Sequence, residues 1–585
     1  MSTHQIPYNM EMDIDRLCLE RAIHRFMRSG VAQDAFDVYF CYLEMFFGNY
    51  GKAKKMIEML AEFESNASAL LMKHRDHYSH SVYVFILGLA IYNKNEIIRK
   101  AYREYYRIAD EKEAAHHYIR YWGLAALFHD IGYPFELPFE QVKSYYGNSI
   151  IGVPFVAYRG VQDYIRLSEE EAAYYEKLLG RQLSEKTVNA VLAVNIADKL
   201  ESVYGCSSET ICSEMLNPKP EEPDAFGGFM DHAYFSGVLL FKELEKMMGM
   251  ESMTVTCLDA LTAIVLHNSM YKFSVTNIRD EKRNIPFDVN LHPLAYILML
   301  CDELQCWDRT SYGQNSRREL HAMWCDLEFI GNDIKAMYYY DSKLEYKKDV
   351  AKGTYRKMTG DPVSFVKDIE TIIRVNERDS IGFSLDTAFV PNNRRTHTYL
   401  SNSSFIHLYN FAVALNGRYQ SAVPEDIKER EESAESLEES FENLSLEYKL
   451  SNIMQAKAFA GYLDAIDCFY TDKPVDYELL DQFTDTDMDI IGPMEHERWL
   501  NEKLSMGWTY GTDYRKEELC KGIYGLGEDV KTISRNLREQ TRMHELMVEN
   551  YEELEREEQD KDTEPMNCML HLIDEYDGLR IYRVN

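Results

Sequence analysis

Apolar residues recur at spacings of three and four along most of this chain, which is the period of an amphipathic α-helix. Two short segments, residues 327–330 and 336–340, are instead rich in residues that favour strands. Glycine and proline lie between the periodic stretches, as at residues 132–134. The sequence therefore predicts a mainly α fold with a small β element. The periodic stretches are residues 13–47, 52–72, 79–92, 114–128, 169–179, 184–204 and 254–267.

The charge of the chain limits its partners. It carries 64 Lys and Arg against 97 Asp and Glu, a formal net charge of −33. Nucleic-acid backbones are bound through clustered Lys and Arg, so we expect no strong nucleic-acid binding. A small anionic substrate remains compatible with this charge, because a bound metal ion can reverse the local field.

The cysteines and the apolar runs indicate the compartment. The 11 cysteines contain no CxxC pair, which argues against a zinc knuckle or a disulfide-rich secreted scaffold. The first residues lack the basic segment and apolar core of a signal peptide. The most apolar run, at residues 82–91, is too short to cross a membrane. We therefore expect a cytoplasmic protein with no membrane partner.

An acidic stretch divides the chain. At roughly 100–200 residues per domain, 585 residues predict about three or four domains. Residues 421–446 are dense in Glu and Ser, and like charges resist packing, so this stretch is predicted to be a solvated linker. It separates residues 1–320 and an α/β extension at residues 321–420 from a C-terminal module at residues 447–585. A second acidic stretch, residues 549–562, is predicted to be an exposed helix.

Histidine and aspartate residues occur where helices or turns would aim them inward. The strongest case is the adjacent pair His129 and Asp130, which ends an apolar helical run. Imidazole and carboxylate bind divalent ions well, so we predict one or two ions of Mn, Fe, Co, Ni, Mg or Zn. Water on such an ion has its pKa lowered from about 15.7 towards about 7, and the resulting hydroxide can attack phosphorus. The His and Asp residues in such positions are His74, His77, His80, His129, Asp130, Asp231, His232, His267 and Asp302.

The order of these residues resembles the HD-domain phosphohydrolase superfamily, whose core pattern is His, His-Asp and Asp. The likeness covers about residues 75–309. It includes HSVYV at His80, which is similar to a motif of deoxyguanosine-triphosphate triphosphohydrolases. It implies a helical bundle in which His80, His129, Asp130 and Asp302 bind one metal ion, while His232 and His267 add a second.

Other residues near the predicted metal are candidates for catalysis and substrate binding. Many HD enzymes carry a lysine three residues after the HD aspartate, and this chain has Tyr133 there. Each candidate also has an ordinary structural explanation, such as a helix-start residue or a salt-bridge partner. The catalytic candidates are His77 (ligand orientation or proton transfer), Asp130 and Glu136 (general acid or base). The substrate-binding candidates are Arg75, Tyr133 and Arg309.

The C-terminal module carries a second resemblance. Its motifs are SN-x-x-QA at residues 451–456, EHERW at residues 495–499 and GWTYG at residues 507–511. These are similar to the RyR domain, named for a repeat in ryanodine receptors, and the likeness covers about residues 444–585. It implies a smaller, mostly helical domain whose pocket could take a regulatory nucleotide. Core packing with surface ion pairs is the alternative explanation. The pocket candidates are Glu495, His496, Trp499, Trp508 and Tyr510.

The two resemblances together imply a metal-dependent nucleotide phosphohydrolase. Deoxynucleoside triphosphates are the preferred substrates, and the C-terminal module suggests regulation by a ligand in bacterial antiphage defence. One alternative is a phosphodiesterase of cyclic mono-, di- or oligonucleotides. Another is a nucleotide-binding sensor with weak turnover. Because HD enzymes often self-associate, we also expect a homo-oligomer.

Overall fold

A computed structural model gives the fold, which is mainly helical, so the predicted fold class is confirmed. The helices are α1 Ile14–Ser29, α2 Ala32–Phe47, α3 His77–Lys94, α4 Glu96–Tyr106, α5 Glu111–Phe128, α6 Glu169–Leu179, α7 Val188–Tyr204, α8 Ser208–Leu216, α9 His232–Met248, α10 Val255–Leu266, α11 Pro293–Leu304, α12 Pro362–Ile372, α13 Phe405–Ser421, α14 Leu437–Glu442, α15 Leu446–Ala465 and α16 Asp485–Ser505. The structure describes residues 14–48, 54–60, 77–133, 135, 164–205, 207–216, 232–268, 286–307, 322–342, 362–391, 405–421, 437–471, 475–511, 537–560, 562–563, 565–566, 570 and 580–584.

The strands form three small sheets. Strands β1 and β2 are antiparallel and contain the two predicted strand segments, and β3 joins β2 in parallel. In the second sheet β8 lies between β4 and β5, and β6 pairs with β7 in the third. The strands are β1 Trp324–Ile330, β2 Asp333–Asp341, β3 Phe383–Val390, β4 Cys468–Thr471, β5 Glu478–Leu479, β6 Thr509–Tyr510, β7 Met543–His544 and β8 Arg580–Arg583.

The first periodic stretch forms two helices instead of one. Gly30 follows α1 with φ of 65°, a left-handed conformation that a glycine adopts without a steric penalty. Its backbone N–H donates to the Phe26 carbonyl at 2.7 Å, which closes the end of α1. The chain then begins α2 at Ala32.

The chain divides into two compact units. One contains Met1–Arg25, Phe40–Glu58 and Ser401–Asn585, and the other contains Phe26–Tyr39 and Met59–Leu400. We call them the C-terminal unit and the central unit. This division differs from the predicted one, because N-terminal segments belong to the C-terminal unit and residues 401–420 join it as well.

Burial explains why the predicted linker belongs to the C-terminal unit. Within its described part, Phe441 is fully buried and its ring lies 5.5 Å from that of Tyr409. Close by in sequence, Lys449 pairs with Glu44 at 2.5 Å, and both side chains are buried. The charge pattern alone predicted a solvated segment, but these contacts pack residues 437–450 into the unit.

The central unit is a bundle around α5. Helix α5 packs against α3 and α10, and α11 packs against α3, α5 and α10. Nearly all of the α10 and α11 side chains are buried, as expected of helices that are apolar on every face. The ends of these helices meet in one region, which is where the predicted metal ligands lie.

A buried ion pair connects α7 to α10 in this bundle. The ammonium group of Lys199 lies 2.8 Å from a carboxylate oxygen of Asp259. The Asn195 amide donates to the same oxygen at 3.0 Å, and the Tyr106 hydroxyl donates to the other at 3.1 Å. A buried carboxylate is tolerated when its oxygens are satisfied in this way.

In the described ranges, no helix is both long enough and apolar enough to cross a membrane.

Candidate functional site

Two of the predicted ligands terminate helices. His129 directly follows α5 and His267 directly follows α10. The Nδ1 of His129 lies 2.8 Å from the Ala126 carbonyl oxygen, and the Nδ1 of His267 lies 2.6 Å from that of Ile264. Since a carbonyl oxygen only accepts, each Nδ1 carries the proton and donates it to a carbonyl of the last helical turn. The Nε2 atoms of both rings are therefore the atoms left to bind a metal.

His80 on α3 is oriented in the same way by a side chain. Its Nδ1 lies 2.6 Å from the Gln305 Oε1. The Gln305 amide nitrogen donates to the Trp307 carbonyl at 2.8 Å, which identifies Oε1 as the atom that faces His80. The Nδ1 of His80 therefore donates, and Nε2 again faces the carboxylates. Gln305 was not predicted, although it lies one helical turn after Asp302.

The Nε2 atoms converge on two carboxylates. His80 Nε2 lies 3.0 Å from Asp302 Oδ1 and 3.6 Å from Asp130 Oδ2. His129 Nε2 lies 3.3 Å from Asp130 Oδ1 and 3.7 Å from Asp302 Oδ1. Two groups of three residues each place their ligand atoms within 4.8 Å of one another. One group is His80, His129 and Asp302, and the other is His129, Asp130 and His267.

His232 also lies beside Asp130. It is the first residue of α9, and its Nε2 lies 3.6 Å from Asp130 Oδ1. Its ring stacks on that of Tyr133, with centroids 4.0 Å apart and planes 9° apart. The structure thus places Tyr133, a predicted substrate-binding residue, against a predicted metal ligand.

Gly132 allows the turn that carries Asp130 to approach α9. A Cβ at this position would lie 2.2 Å from the His232 carbonyl oxygen and 2.6 Å from the Ser236 nitrogen. The backbone N–H of Gly132 donates to the Ser236 hydroxyl at 2.7 Å. This close contact sets the separation between Asp130 and His232.

The electrostatics of the cluster suit a cation. Burial acts to raise the pKa of Asp302, but the adjacent His129 and His80 lower it by more. The pKa of Asp302 is therefore held well below its usual range. Burial and the adjacent His129 lower the pKa of His267 to about 3, so this ring is neutral. Burial also acts to lower the pKa of His129, but the nearby Asp130 and Asp302 carboxylates raise it overall.

An unsatisfied atom supports the same conclusion. His129 is fully buried, and among the described residues its Nε2 has no hydrogen-bond partner. A buried polar atom without a partner is costly, and a divalent ion would satisfy it. Imidazole nitrogens and carboxylate oxygens are donors that suit first-row divalent ions, so the residues present fit the predicted metal.

The structure brings all six predicted ligands together. The backbone of His77 begins α3, but its side chain lies outside the described part of the structure, as do Arg75, Glu136 and Arg309. Their predicted roles stay predictions.

The C-terminal unit contains a separate cavity of about 350 Å³. Three of the five predicted pocket residues line it, namely Glu495, His496 and Trp499. Trp508 is instead buried, and its indole N–H donates to Glu447 at 2.6 Å. Tyr510 is 60% exposed and is not part of the lining. Sequence reasoning missed Asp562 and Glu558, which both lie in the acidic stretch predicted to be exposed.

The fold and the site define a mainly helical protein with a buried His/Asp cluster in the central unit and a cavity in the C-terminal unit. No protein-family model matches the chain, and no curated protein or solved structure is similar to it at a significant level.

Proposed function

We propose that this protein is a metal-dependent phosphohydrolase that acts on nucleotides. The observation that carries the proposal is the direction of three buried imidazoles. His80, His129 and His267 each donate from Nδ1 to an oxygen, so that Nε2 is left for a metal ion. Hydrogen bonds that fix the ring orientation in this way are typical of metal-binding histidines.

The clustered residues would bind the metal ions in two groups. His80, His129, Asp130 and Asp302 would hold one ion, and His232 and His267 would contribute to a second. Asp302 remains ionised because its pKa is low, and His267 remains neutral, which are the states that ligands need. When bound, a divalent ion supplies Lewis-acid chemistry, since it acidifies water and offsets phosphate charge.

Deoxynucleoside triphosphates are the substrates we propose first. The support is the resemblance of the segment at His80 to deoxyguanosine-triphosphate triphosphohydrolases. Regulation by a ligand of the C-terminal unit, and a role in bacterial antiphage defence, rest on the resemblance to RyR domains.

The second candidate function is cleavage of cyclic mono-, di- or oligonucleotides. The observation in its favour is the position of His232 and His267 beside Asp130, which provides donors for two ions. Two adjacent metal ions stabilise both the attacking and the leaving oxygen of a phosphodiester.

Product analysis by chromatography tests the proposal. Purified protein with Mn²⁺ is incubated separately with deoxynucleoside triphosphates, ribonucleoside triphosphates and cyclic dinucleotides. We expect hydrolysis of a deoxynucleoside triphosphate, its loss in Asp130→Ala and its retention in Asp386→Ala, an exposed aspartate on β3. Metal analysis of the same samples should show bound metal in the wild type and less in Asp130→Ala.

Two other outcomes would change the functional conclusion. Opening of a cyclic nucleotide would favour the second function. A protein that binds nucleotide but neither binds metal nor hydrolyses any substrate would contradict the proposal and favour a nucleotide-binding sensor.

A further inference from the structure

The cavity of the C-terminal unit has the size and the walls of a small-molecule site. Its volume of about 350 Å³ is at the lower end of the range of roughly 300–1,000 Å³ for such sites. It is lined by parts of α15 and α16, by residues from 544 to 562, and by Asn416 and Leu444. Leucines and aromatic rings alternate with polar side chains in this lining, so the cavity offers both apolar contact and hydrogen bonds.

The arginine in the lining is already bound to carboxylates. Arg498 donates from Nε and Nη2 to the two oxygens of Glu495, each at 2.7 Å, and from Nη1 to Glu502 at 2.5 Å. Glu495 is 2% exposed and also accepts from Gln455 and Tyr462. This network fixes the guanidinium, so it is not available to a ligand phosphate.

His496, a second residue of the lining, also has partners within the protein. His496 is buried, its Nε2 lies 2.9 Å from the Val548 carbonyl oxygen and its Nδ1 lies 3.5 Å from Asp562 Oδ2. Both ring nitrogens therefore face acceptors that belong to the protein.

Most of the other polar side chains in the described lining are amides, hydroxyls and the His544 imidazole, and the charged groups that remain are carboxylates. Glu558 and Asp562 contribute carboxylates, whereas the carboxylate of Glu495 is held by Arg498, and Arg498 and His496 both have protein partners. A ligand phosphate would meet carboxylates here, which disfavours it by like-charge repulsion. A ligand with N–H groups would instead find acceptors.

Trp499 adds a flat apolar wall. Its ring is half-buried, with the His496 ring at 5.9 Å and the His544 ring edge-on at 5.4 Å. Indole rings of this kind stack on planar heterocycles.

We propose that this cavity binds a small planar nitrogen heterocycle that carries N–H donors and no phosphate, a nucleobase or its nucleoside. The ring stacks on Trp499, and its donor edge faces Asp562 and Glu558. The proposal concerns a site in the other unit from the metal cluster and does not depend on hydrolysis. It replaces the regulatory nucleotide expected from sequence with an uncharged ligand.

Isothermal titration calorimetry of the full-length chain tests this proposal. The titrations use adenosine, guanosine, cytidine and their 5′-triphosphates with Asp130→Asn protein in EDTA, so that neither metal binding nor turnover contributes. We expect at least one nucleoside to bind, and its triphosphate to bind at least about tenfold more weakly because of the carboxylates.

Matched variants locate the binding. Trp499→Ala should weaken nucleoside binding by about tenfold or more, the size expected for loss of stacking on a base. Tyr477→Ala, at an exposed aromatic outside the lining, should leave binding unchanged. Trp499→Phe should retain most of the affinity, and Asp562→Asn should weaken it. These last two variants carry the test if thermal melting shows that Trp499→Ala is unfolded.

Three results would overturn the proposal. The first is that no nucleoside binds. The second is that a triphosphate binds as tightly as its nucleoside or more tightly, and that Trp499→Ala abolishes this binding. The third is that a nucleoside binds but neither Trp499→Ala nor Asp562→Asn weakens its binding. Because the titrations exclude hydrolysis, failure here leaves the metal-dependent function untouched, and the reverse also holds.

Discussion

For metal binding in the central unit, the most important property of single residues is the orientation of their imidazole rings. A histidine on an apolar helix is usually a core or surface residue, and the sequence does not distinguish it from a ligand. The difference lies in the partner of Nδ1, which is a carbonyl for His129 and His267 and Gln305 for His80. These partners leave Nε2 directed at Asp130 and Asp302.

Replacing Gln305 with leucine should weaken metal binding. The change removes the acceptor of the His80 Nδ1–H and frees the ring to rotate. Loss of such an orienting partner typically costs about 10- to 100-fold in metal affinity. Competition with a fluorescent chelator measures the affinity, and Gln182→Leu at an exposed position is the control. Equal affinities of wild type and Gln305→Leu would contradict this role.

Replacing Gly132 with alanine should destabilise the central unit. The new Cβ would overlap the His232 carbonyl and the Ser236 nitrogen, which belong to backbone and cannot rotate away. Such overpacking costs about 1–3 kcal/mol in the free energy of unfolding, measured in urea. Gly461→Ala is the control, since that helical glycine has open space around it and should be neutral or stabilising by up to about 1 kcal/mol. A similar response of both variants would contradict the steric explanation.

Among the elements, α15 and α16 are joined by buried charges. Glu447 at the start of α15 accepts from Lys503 at 3.3 Å, from the Trp508 indole at 2.6 Å and from Arg542 at 2.6 Å. Burial raises the pKa of Glu447, but Lys503, Arg542 and Trp508 outweigh burial and lower it. The ionised form is therefore stabilised in the folded state.

This pKa shift predicts a pH-dependent contribution to stability. The stabilisation by Glu447 is complete above the unfolded-state pKa of about 4.3 and is lost as pH falls through the lower folded-state pKa. At pH 7, Glu447→Gln should lower the free energy of unfolding by about 3–5 kcal/mol, because it leaves buried cations without their anion. Urea unfolding at several pH values should show the difference from wild type shrinking below about pH 4.

The control for this experiment is Glu497→Gln, at an exposed position of α16. It should change the free energy of unfolding by less than about 0.5 kcal/mol at any of these pH values. A wild-type advantage over Glu447→Gln that stays constant with pH would contradict the ionic explanation.

For the whole molecule, the net charge of −33 is the dominant property. It predicts no retardation of duplex DNA or RNA in an electrophoretic assay at about 150 mM salt, because binding requires clustered cations. A basic DNA-binding protein serves as the positive control. A shift that weakens as salt increases would contradict the prediction.

The sequence predicted some levels of the structure better than others. Helical periodicity predicted the fold class, and strand propensity located β1 and β2. Strand propensity did not predict β3, whose pairing with β2 is a long-range contact. Charge density predicted exposed segments at residues 421–446 and 549–562, but Phe441 is buried in the first and Asp562 lines the cavity in the second. Local charge does not report the neighbours that a segment meets after folding.

By itself, the sequence determined the helical class, the strong negative charge and the six His and Asp residues of the cluster, because periodicity, composition and residue type are local properties. Only the tertiary structure decided which nitrogen of each imidazole faces the carboxylates, that Gln305 orients His80, and that Trp508 is buried beside Glu447 instead of lining the cavity. These features depend on distances between residues that are far apart in the chain, as His80 and Gln305 are, and such distances exist only after the helices have packed.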